Sequence, residues 1–326
     1  MNPRPDNIFQ SFSDQLSLKV EAVEVEAEGV LSLVLTDGFG GALPAWEPGA
    51  HIDLILSPDM TRQYSLCGDP AERDRWRIGV LLAPDSRGGS QFVHTRLHAG
   101  DIVQVVGPRN NFRLVEAEHH LFIAGGIGIT PILPMIREVA AKGGRWTLLY
   151  GGRTENSMAF VKEIQELSGG DVHLVPQDKY GLLDLKRFLA AHKPGQVVYC
   201  CGPSPLIDAV EALCAGWPSG SLHQERFAPR ARQEVGEDGE FEVELASSGR
   251  TLSVPAGKSL LKVLEEAGCK ISNSCRAGIC GTCLVKVLDG VPEHNDDLLD
   301  DEQRESGTVI LPCVSRSKTK TLILDL

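Results

Sequence analysis

The sequence predicts a multidomain chain: an antiparallel β-barrel, then an α/β unit with a parallel sheet, then a small α+β unit. Three observations predict it. Short strand-like runs broken by Gly and Pro fill the first third, strands alternate with helices through the middle, and paired strands with one helix follow a polar stretch. The length agrees, since 326 residues at about 150 per domain make two or three domains.

The first unit, 1–113, carries the runs LSLKVEAVEV, VLSLVLT, HIDLIL, RQYSL, WRIGVLL and DIVQVVG. Gly38, Gly40, Gly41, Pro44, Pro48 and Gly49 punctuate them at a spacing that suits a small barrel. One helical stretch, SQFVHTRL, precedes the last strand. In the second unit, 114–228, the strands HLFIA, WTLLY, DVHLV and QVVYC alternate with the helices PILPMIREVAAK, MAFVKEIQEL, LDLKRFLAAH and SPLIDAVEALC. Such alternation gives a parallel sheet with helices on both faces. The polar stretch 229–239 reads as a linker. The third unit, 240–326, shows FEVELA and RTLSVP as paired strands, the helix SLLKVLEEAG, a loop rich in Gly and Cys, and the strands LVKVL, TVILP and TKTLILDL.

Thirty-two Lys and Arg against 44 Asp and Glu leave a net charge of −12. No basic stripe is available to track phosphates, which argues against nucleic-acid binding. The start, MNPRPDNIFQSFSDQ, has no apolar core behind a basic end, and so does not read as a secretory signal. The longest apolar stretch is broken by Gly125, Gly126, Gly128, Pro131 and Pro134, which excludes a membrane span. The expectation is a cytoplasmic protein.

There are nine cysteines. In a reducing compartment a cluster of them points to metal or redox chemistry before disulfides. Cys275, Cys280 and Cys283 stand as Cys-x4-Cys-x2-Cys in SNSCRAGICGTC, and Cys313 follows 30 positions later in LPCVSR. That is plant-type [2Fe–2S] spacing: three thiolates from one tight loop and a fourth from a distant strand. Gly278 and Gly281 let the loop curl so that its amides reach sulfur. A structural zinc site usually shows two Cys-x2-Cys pairs, and only Cys280 and Cys283 form one. Cys269 falls outside the pattern and reads as a packing residue.

After HLFIA, Gly125-Gly126-Ile127-Gly128-Ile129-Thr130-Pro131 opens a helix. Glycines let a chain approach a pyrophosphate, and helix N-terminal amides favour its charge. Pro131 replaces the third glycine of the dinucleotide fingerprint, so alone the run reads equally as an ordinary strand–helix turn. Cys201-Gly202-Pro203 ends the last strand of this unit, where open α/β sheets bind ligands. Read by itself, Cys201 is a buried, inert cysteine. Arg62-Gln63-Tyr64-Ser65-Leu66 sets Arg62, Tyr64 and Leu66 on one strand face and Ser65 on the other. By themselves Tyr64 is a half-buried aromatic and Arg62 a surface charge. Ser86-Arg87-Gly88-Gly89-Ser90 opens the short helix as a second phosphate cradle.

With these motifs in this order, the chain from about residue 16 onward resembles the phthalate dioxygenase reductase family, with vanillate demethylase reductases as close relatives. RQYSL looks like that superfamily's flavin motif, and GGIGITP and CGP like its nicotinamide motifs. The resemblance implies a flavin barrel, an NAD domain and a C-terminal β-grasp ferredoxin. It implies that Arg62 meets the flavin phosphate, Tyr64 packs on the isoalloxazine and Ser65 bonds near N5, with Leu66 and Val80 also in contact. Gly88, Gly89 and Ser90 would hold the phosphate of FMN. Gly126, Gly128 and Thr130 would line the NADH site, Cys201, Gly202 and Pro203 would lie by the nicotinamide, and Phe227 in QERF would cover the flavin. Ser65, Cys201 and Phe227 are the expected catalytic residues. FMN rather than FAD is implied by domain order alone.

The implied activity takes hydride from NADH onto FMN and passes single electrons through [2Fe–2S] to a Rieske-type oxygenase acting on a small acid. A cytochrome P450 acceptor and a redox-sensing binding protein are the alternatives. Arg153 stands alone beside Glu155 after WTLLY, which leaves no cationic pair for a 2′-phosphate and predicts NADH over NADPH. Between the third and fourth cluster ligands, EHNDDLLDDEQRE holds seven carboxylates and one Arg. It reads either as a docking surface for a basic partner or as solvated surface.

Overall fold

The computed structural model describes residues 15–58, 60–84, 88–230 and 239–326. Its first sheet comprises β1 (Gln15–Ala27), β2 (Val30–Asp37), β3 (Ala50–Ser57), β4 (Met60–Ser65), β5 (Arg75–Leu81) and β6 (Ile102–Asn110). The order is β4-β3-β6-β1-β2-β5, and every pair is antiparallel. The outer strands β4 and β5 meet through a bridge between Leu66 and Ile78, and Cys67 N donates to Arg77 O at 2.8 Å. The sheet thereby closes into a barrel and loses its free edges. Strand alternation fills the inside with Val20, Leu33, Leu35, Ile52 and Leu54. The helix α1 (Gly89–Arg96) lies between β5 and β6 in the chain.

The second sheet is wholly parallel: β7 (His119–Gly125), β8 (Arg145–Gly152), β9 (Gly170–Pro176), β10 (Gln196–Gly202) and β11 (Leu222–Arg226), in the order β11-β10-β7-β8-β9. The chain builds outward from β7, then returns to its other side. The order therefore reverses between β7 and β10, which opens a crevice at their carboxyl ends. The connections carry α2 (Ile129–Ala141), α3 (Val161–Glu166), α4 (Gln177–Tyr180), α5 (Leu185–Phe188) and α6 (Ser204–Cys214). Two expected helices are shorter than the sequence suggests. Phe160, at φ 61, delays the start of α3, and α5 is a single turn capped by Asp184.

The third sheet gathers β12 (Phe241–Leu245), β13 (Arg250–Val254), β14 (Val285–Asp289), β16 (Val309–Ile310) and β18 (Thr321–Leu324) in the order β13-β12-β18-β14-β16. Only β12 and β18 run parallel. The sheet grasps α7 (Leu260–Glu266), whose Leu260 and Leu264 pack on Phe241, Val243 and Leu322. A small ribbon pairs β15 (Pro292–Glu293) with β17 (Arg316–Ser317), and α8 (Asp301–Ser306) forms inside the acidic run. The expected linker lies largely in 231–238, outside the described residues. Among the described residues no helix is long and apolar enough to cross a membrane.

Candidate flavin, nucleotide and cluster sites

At the start of α1, Gly88 adopts φ 85 and leaves the first amides of the helix open. A Cβ on Gly89 would fall 2.5 Å from Arg62 Nε, so only glycine lets that guanidinium lie against the helix start. Ser90 is buried there, its hydroxyl accepting from Ala83 N at 3.1 Å. Backbone donors, a hydroxyl and a cation in one concavity suit a phosphate. The structure thus brings together Arg62, Gly88, Gly89 and Ser90; Ser86 and Arg87 lie outside the described residues.

Two residues past Arg62 on β4, Tyr64 is half-buried at the edge of the barrel core. Ser65 points the other way and is buried. The side chains of Leu66 and Val80 leave only their backbone to meet a ligand on the barrel surface. Both are fully enclosed in the barrel core, and Leu66 N is spent on Ala50 O, because the β4–β5 closure draws them inward. A ligand on the barrel surface does not reach these side chains.

Where the barrel meets the parallel sheet, Ser65 faces Glu225 of β11. Burial pushes the Glu225 carboxyl up to about 8, against the pull of the Ser65 hydroxyl hydrogen bond. Its Oε2 has no exposed surface and no hydrogen-bond partner. Cys201 is the register neighbour of Glu225, fully buried, and burial raises its thiol well above the ordinary range. Phe227, two residues past Glu225, keeps 40% of its surface exposed. An orphaned carboxyl oxygen beside a hydroxyl, with an exposed aromatic two residues on in the chain, fits a polar planar ring laid against the barrel.

The crevice of the parallel sheet adjoins this junction. A Cβ on Gly128 would lie 2.3 Å from Cys201 O, and one on Gly125 would lie 2.7 Å from Pro203 Cδ. These contacts force glycine and let the β7 turn close onto the end of β10. Gly126, at φ 53, has open space before it, as a site for pyrophosphate requires. Gly202 is half-buried and Pro203 exposed at the rim. Thr130 is buried instead, its hydroxyl donating to Ile127 O at 2.9 Å and its methyl meeting Gly79 of the barrel. After β8, Glu155 pairs with Lys179, and Asp178 N, next to Lys179, donates to Arg153 O at 3.1 Å.

In the third unit, the thiols of Cys275 and Cys280 hydrogen-bond each other, as do those of Cys283 and Cys313. Four thiols brought together in this way suit thiolate ligation of iron. Amides converge on the sulfurs: Ala277 N on Cys275 at 3.3 Å, Thr282 N on Cys280 at 3.5 Å, and Gly278 N on Cys313. The curl depends on positive φ at Arg276, Gly278 and Gly281. This loop is bound to its surroundings. Asn111 Nδ2, just past β6 of the barrel, donates to Cys280 O at 3.1 Å, and Asp297 N donates to Gly278 O at 2.9 Å.

These modules define a flavin and iron–sulfur oxidoreductase fed by a pyridine nucleotide. The comparisons agree. Residues 243–318 match the 2Fe-2S iron-sulfur cluster binding domain family, and 110–220 match the family of the N-terminal domain of dimethylamine monooxygenase subunit DmmA-like proteins. The chain is 42% identical over 313 residues to phenoxybenzoate dioxygenase subunit beta of Ectopseudomonas oleovorans, covering 95% of this chain and 97% of that one. It is 38% identical to the phthalate dioxygenase reductase of known structure, with a TM-score of 0.68 over 96% of this chain and 98% of that one. An intact type IV self-sufficient cytochrome P450 monooxygenase matches at a TM-score of 0.91 and 38% identity over 96% of this chain, which spans 41% of that protein. The chain belongs to the phthalate dioxygenase reductase family, with the vanillate O-demethylase oxidoreductases. Its cofactors are FMN, NADH and a [2Fe–2S] cluster.

The motifs do not disclose three residues of these sites. Glu225 stood inside the quoted QERF, two residues before Phe227, but its strand LHQER is polar and carries no strand periodicity. Asn111 and Arg230 act across module boundaries, which no local pattern reports.

Proposed function

We propose that this chain is the cytoplasmic reductase component of a two-component oxygenase, delivering electrons to a separate Rieske-type oxygenase that acts on a small, aromatic acid. The observation that carries it is the central place of the barrel. It touches the nucleotide sheet through Ser65 and Glu225, and the cluster loop through Asn111 and Cys280. When bound, the cofactors supply hydride transfer from NADH to FMN and one-electron transfer through the cluster.

The residues position that chemistry. Arg62 and the start of α1 would hold the flavin phosphate, and Tyr64 and Phe227 would offer aromatic faces to its ring. Ser65 and Glu225 offer hydrogen bonds at the reacting edge, with Glu225 holding its proton at neutral pH because its carboxyl is raised to about 8. Gly126 and Gly128 admit the dinucleotide, while Cys201, too deep for direct contact, shapes the floor below the nicotinamide. The acid substrate is read from relatives such as the phenoxybenzoate and phthalate dioxygenase components. The match to the self-sufficient P450 favours a second reading, a P450 acceptor, and co-purification of the acceptor separates the two.

The test is Cys280→Ser. It is expected to remove iron and labile sulfide while FMN stays bound and NADH still reduces it. Loss of flavin reduction together with the cluster refutes the modular reading. Failure of the intact chain to reduce any added acceptor with NADH refutes the reductase reading in favour of a sensor.

A further inference from the structure

We propose that the hydroxyls of Ser274 and Thr282 donate hydrogen bonds to sulfurs of the bound cluster and raise its reduction potential, which favours passage of the electron from the flavin. This rests on the reading that Cys275, Cys280, Cys283 and Cys313 hold the cluster.

Buried hydroxyls elsewhere in the chain find partners. Ser32 donates to Glu26 at 2.6 Å, Thr130 donates to Ile127 O at 2.9 Å, and the Thr147 hydroxyl lies 3.0 Å from His119 Nε2. The Ser315 hydroxyl accepts from Asn295 N at 3.1 Å. Among the described residues, two enclosed hydroxyl oxygens have no hydrogen-bond partner, Ser274 Oγ and Thr282 Oγ1. Both flank cluster ligands: Ser274 precedes Cys275, and Thr282 stands between Cys280 and Cys283. A hydroxyl rotates to reach whatever acceptor is near. Two orphans in one loop therefore point to an acceptor that the polypeptide itself does not supply.

Carbonyls of the loop are turned to other partners. Cys280 O accepts from Asn111, Gly278 O from Asp297 N, and Gly281 O from Leu284 N. Sulfur is the acceptor that remains, and Thr282 N already donates to Cys280 Sγ at 3.5 Å. The Cys280 thiol is pushed up by its hydrogen bond with Cys275 and by burial, and the Thr282 hydroxyl is the side chain that pulls it down. That hydroxyl therefore lies by the Cys280 sulfur, short of a full hydrogen bond, and favours negative charge on it. Valine would give the Thr282 position the same shape with no polar atom to satisfy.

Reduction adds one electron and no proton to the cluster, and the donor is the reduced flavin. The added charge makes the sulfurs more negative, so a hydrogen bond donated to them is stronger after reduction than before. Each such bond favours the reduced state and raises the potential. The loop amides act in the same direction, but they belong to the backbone that shapes the loop. The two hydroxyls can be deleted while that path is kept, which makes their share measurable. They stand by different ligands, so their effects are expected to add.

The experiment uses the full chain with flavin and cluster bound. Iron and labile sulfide per chain are measured first, and the cluster's potential is then read by titration against mediator dyes, followed by electron paramagnetic resonance. In Thr282→Val the ratio of reduced to oxidised cluster at a fixed potential is expected to fall roughly tenfold, which is about 59 mV for one electron. Ser274→Ala should lower it several-fold, and the double variant by the product of the two. Thr282→Ser keeps the hydroxyl and is expected to hold the wild-type potential, and the flavin's own potential should not move in any variant. Wild-type cluster potentials in iron-loaded Thr282→Val and Ser274→Ala overturn the proposal. So does a fall in Thr282→Ser as large as in Thr282→Val, which assigns the effect to shape. If Thr282→Val loads no iron, Ser274→Ala decides, since it removes one atom from a half-buried residue. Full iron content in Cys280→Ser would instead break the ligand reading, a failure distinct from unchanged potentials.

Discussion

The barrel is joined to the nucleotide sheet and to the cluster unit in different ways. Towards the sheet the two units share one apolar core, in which Val30, Cys67 and Phe112 of the barrel side pack with Phe122, Ile129 and Phe160. Arg77 of β5 adds a two-pronged ion pair to Glu163 of α3, at 2.9 and 2.7 Å, and lies 4.9 Å over the Phe160 ring. Towards the cluster unit the contacts are polar: Asn111 on Cys280 O, and Arg230 between Asp297 and Glu211. The cluster unit keeps its own core around Phe241 and Leu264. Hydride transfer needs reacting atoms held within a fraction of an ångström, which a shared core supplies. One-electron transfer tolerates looser geometry, and a polar seam suffices for it.

The sharpest way to break this contrast is Gly79→Val. A Cβ at Gly79 would meet Thr130 Cγ2 at 2.7 Å and Phe160 at 3.3 Å, inside the shared interface. Overpacking of this kind costs about 1–3 kcal/mol. The unfolding transition of the barrel and nucleotide units is expected to move to lower temperature in calorimetry, and NADH-dependent flavin reduction to slow strongly. The cluster's absorbance should survive. Equal loss of cluster and flavin would mean that the third unit depends on that interface too.

The Ser65–Glu225 contact tests the same interface through pH. The folded chain holds the Glu225 proton up to about 8, whereas the unfolded chain releases it near the ordinary value of 4.5. Between those values the folded state binds the extra proton, so its stability falls as pH rises through that window and levels off above it. Glu225→Gln keeps the shape without the titration. It is expected to flatten the decline in denaturation midpoint between pH 5 and 8 and to slow flavin reduction. The wild-type slope persisting in the variant would assign the decline to another group.

How much of this was legible in sequence follows the range of the interactions. The cluster ligands could be read because their spacing is the site: a tight loop leaves few other ways to place three thiolates. Barrel and α/β alternation were legible through period and punctuation, and in the proposed phosphate cradle a Cβ on Gly89 would meet Arg62. That the side chains of Leu66 and Val80 turn into the core was not legible, because barrel closure, a long-range event, decides which strand face is inside. The helix α8 had a local signal, Asp300 followed three residues later by Gln303, the pattern of a capping box. Its charge drew attention to a docking surface instead. Asn111 and Arg230 had no local signal at all, since each matters only where two units meet.

The polar seam is sharpened by Arg230→Ala. Arg230 is about half exposed, and such pairs are each worth roughly 0.2–1 kcal/mol, less in salt. The variant is expected to loosen the cluster unit without unfolding it. Electron flow from flavin to cluster, followed by stopped-flow bleaching, should slow modestly, and added salt should bring the wild type down to the variant. Salt-insensitive wild-type transfer would leave Asn111 as the working contact.

The smallest effect is expected at Glu155, on the exposed turn after β8. Its pair with Lys179 is exposed on both sides, so it adds little to stability. Its consequence is selectivity. Glu155→Gln leaves Lys179 beside Arg153 with its charge no longer answered, which creates the cationic pair that grips a 2′-phosphate. The variant should gain catalytic efficiency with NADPH several-fold and change little with NADH. The gain should shrink as salt rises, because the new attraction is solvent-exposed. An unchanged ratio of the two efficiencies would show that Lys179 does not face the ribose, and that the preference for NADH is set by the shape of the turn after β8.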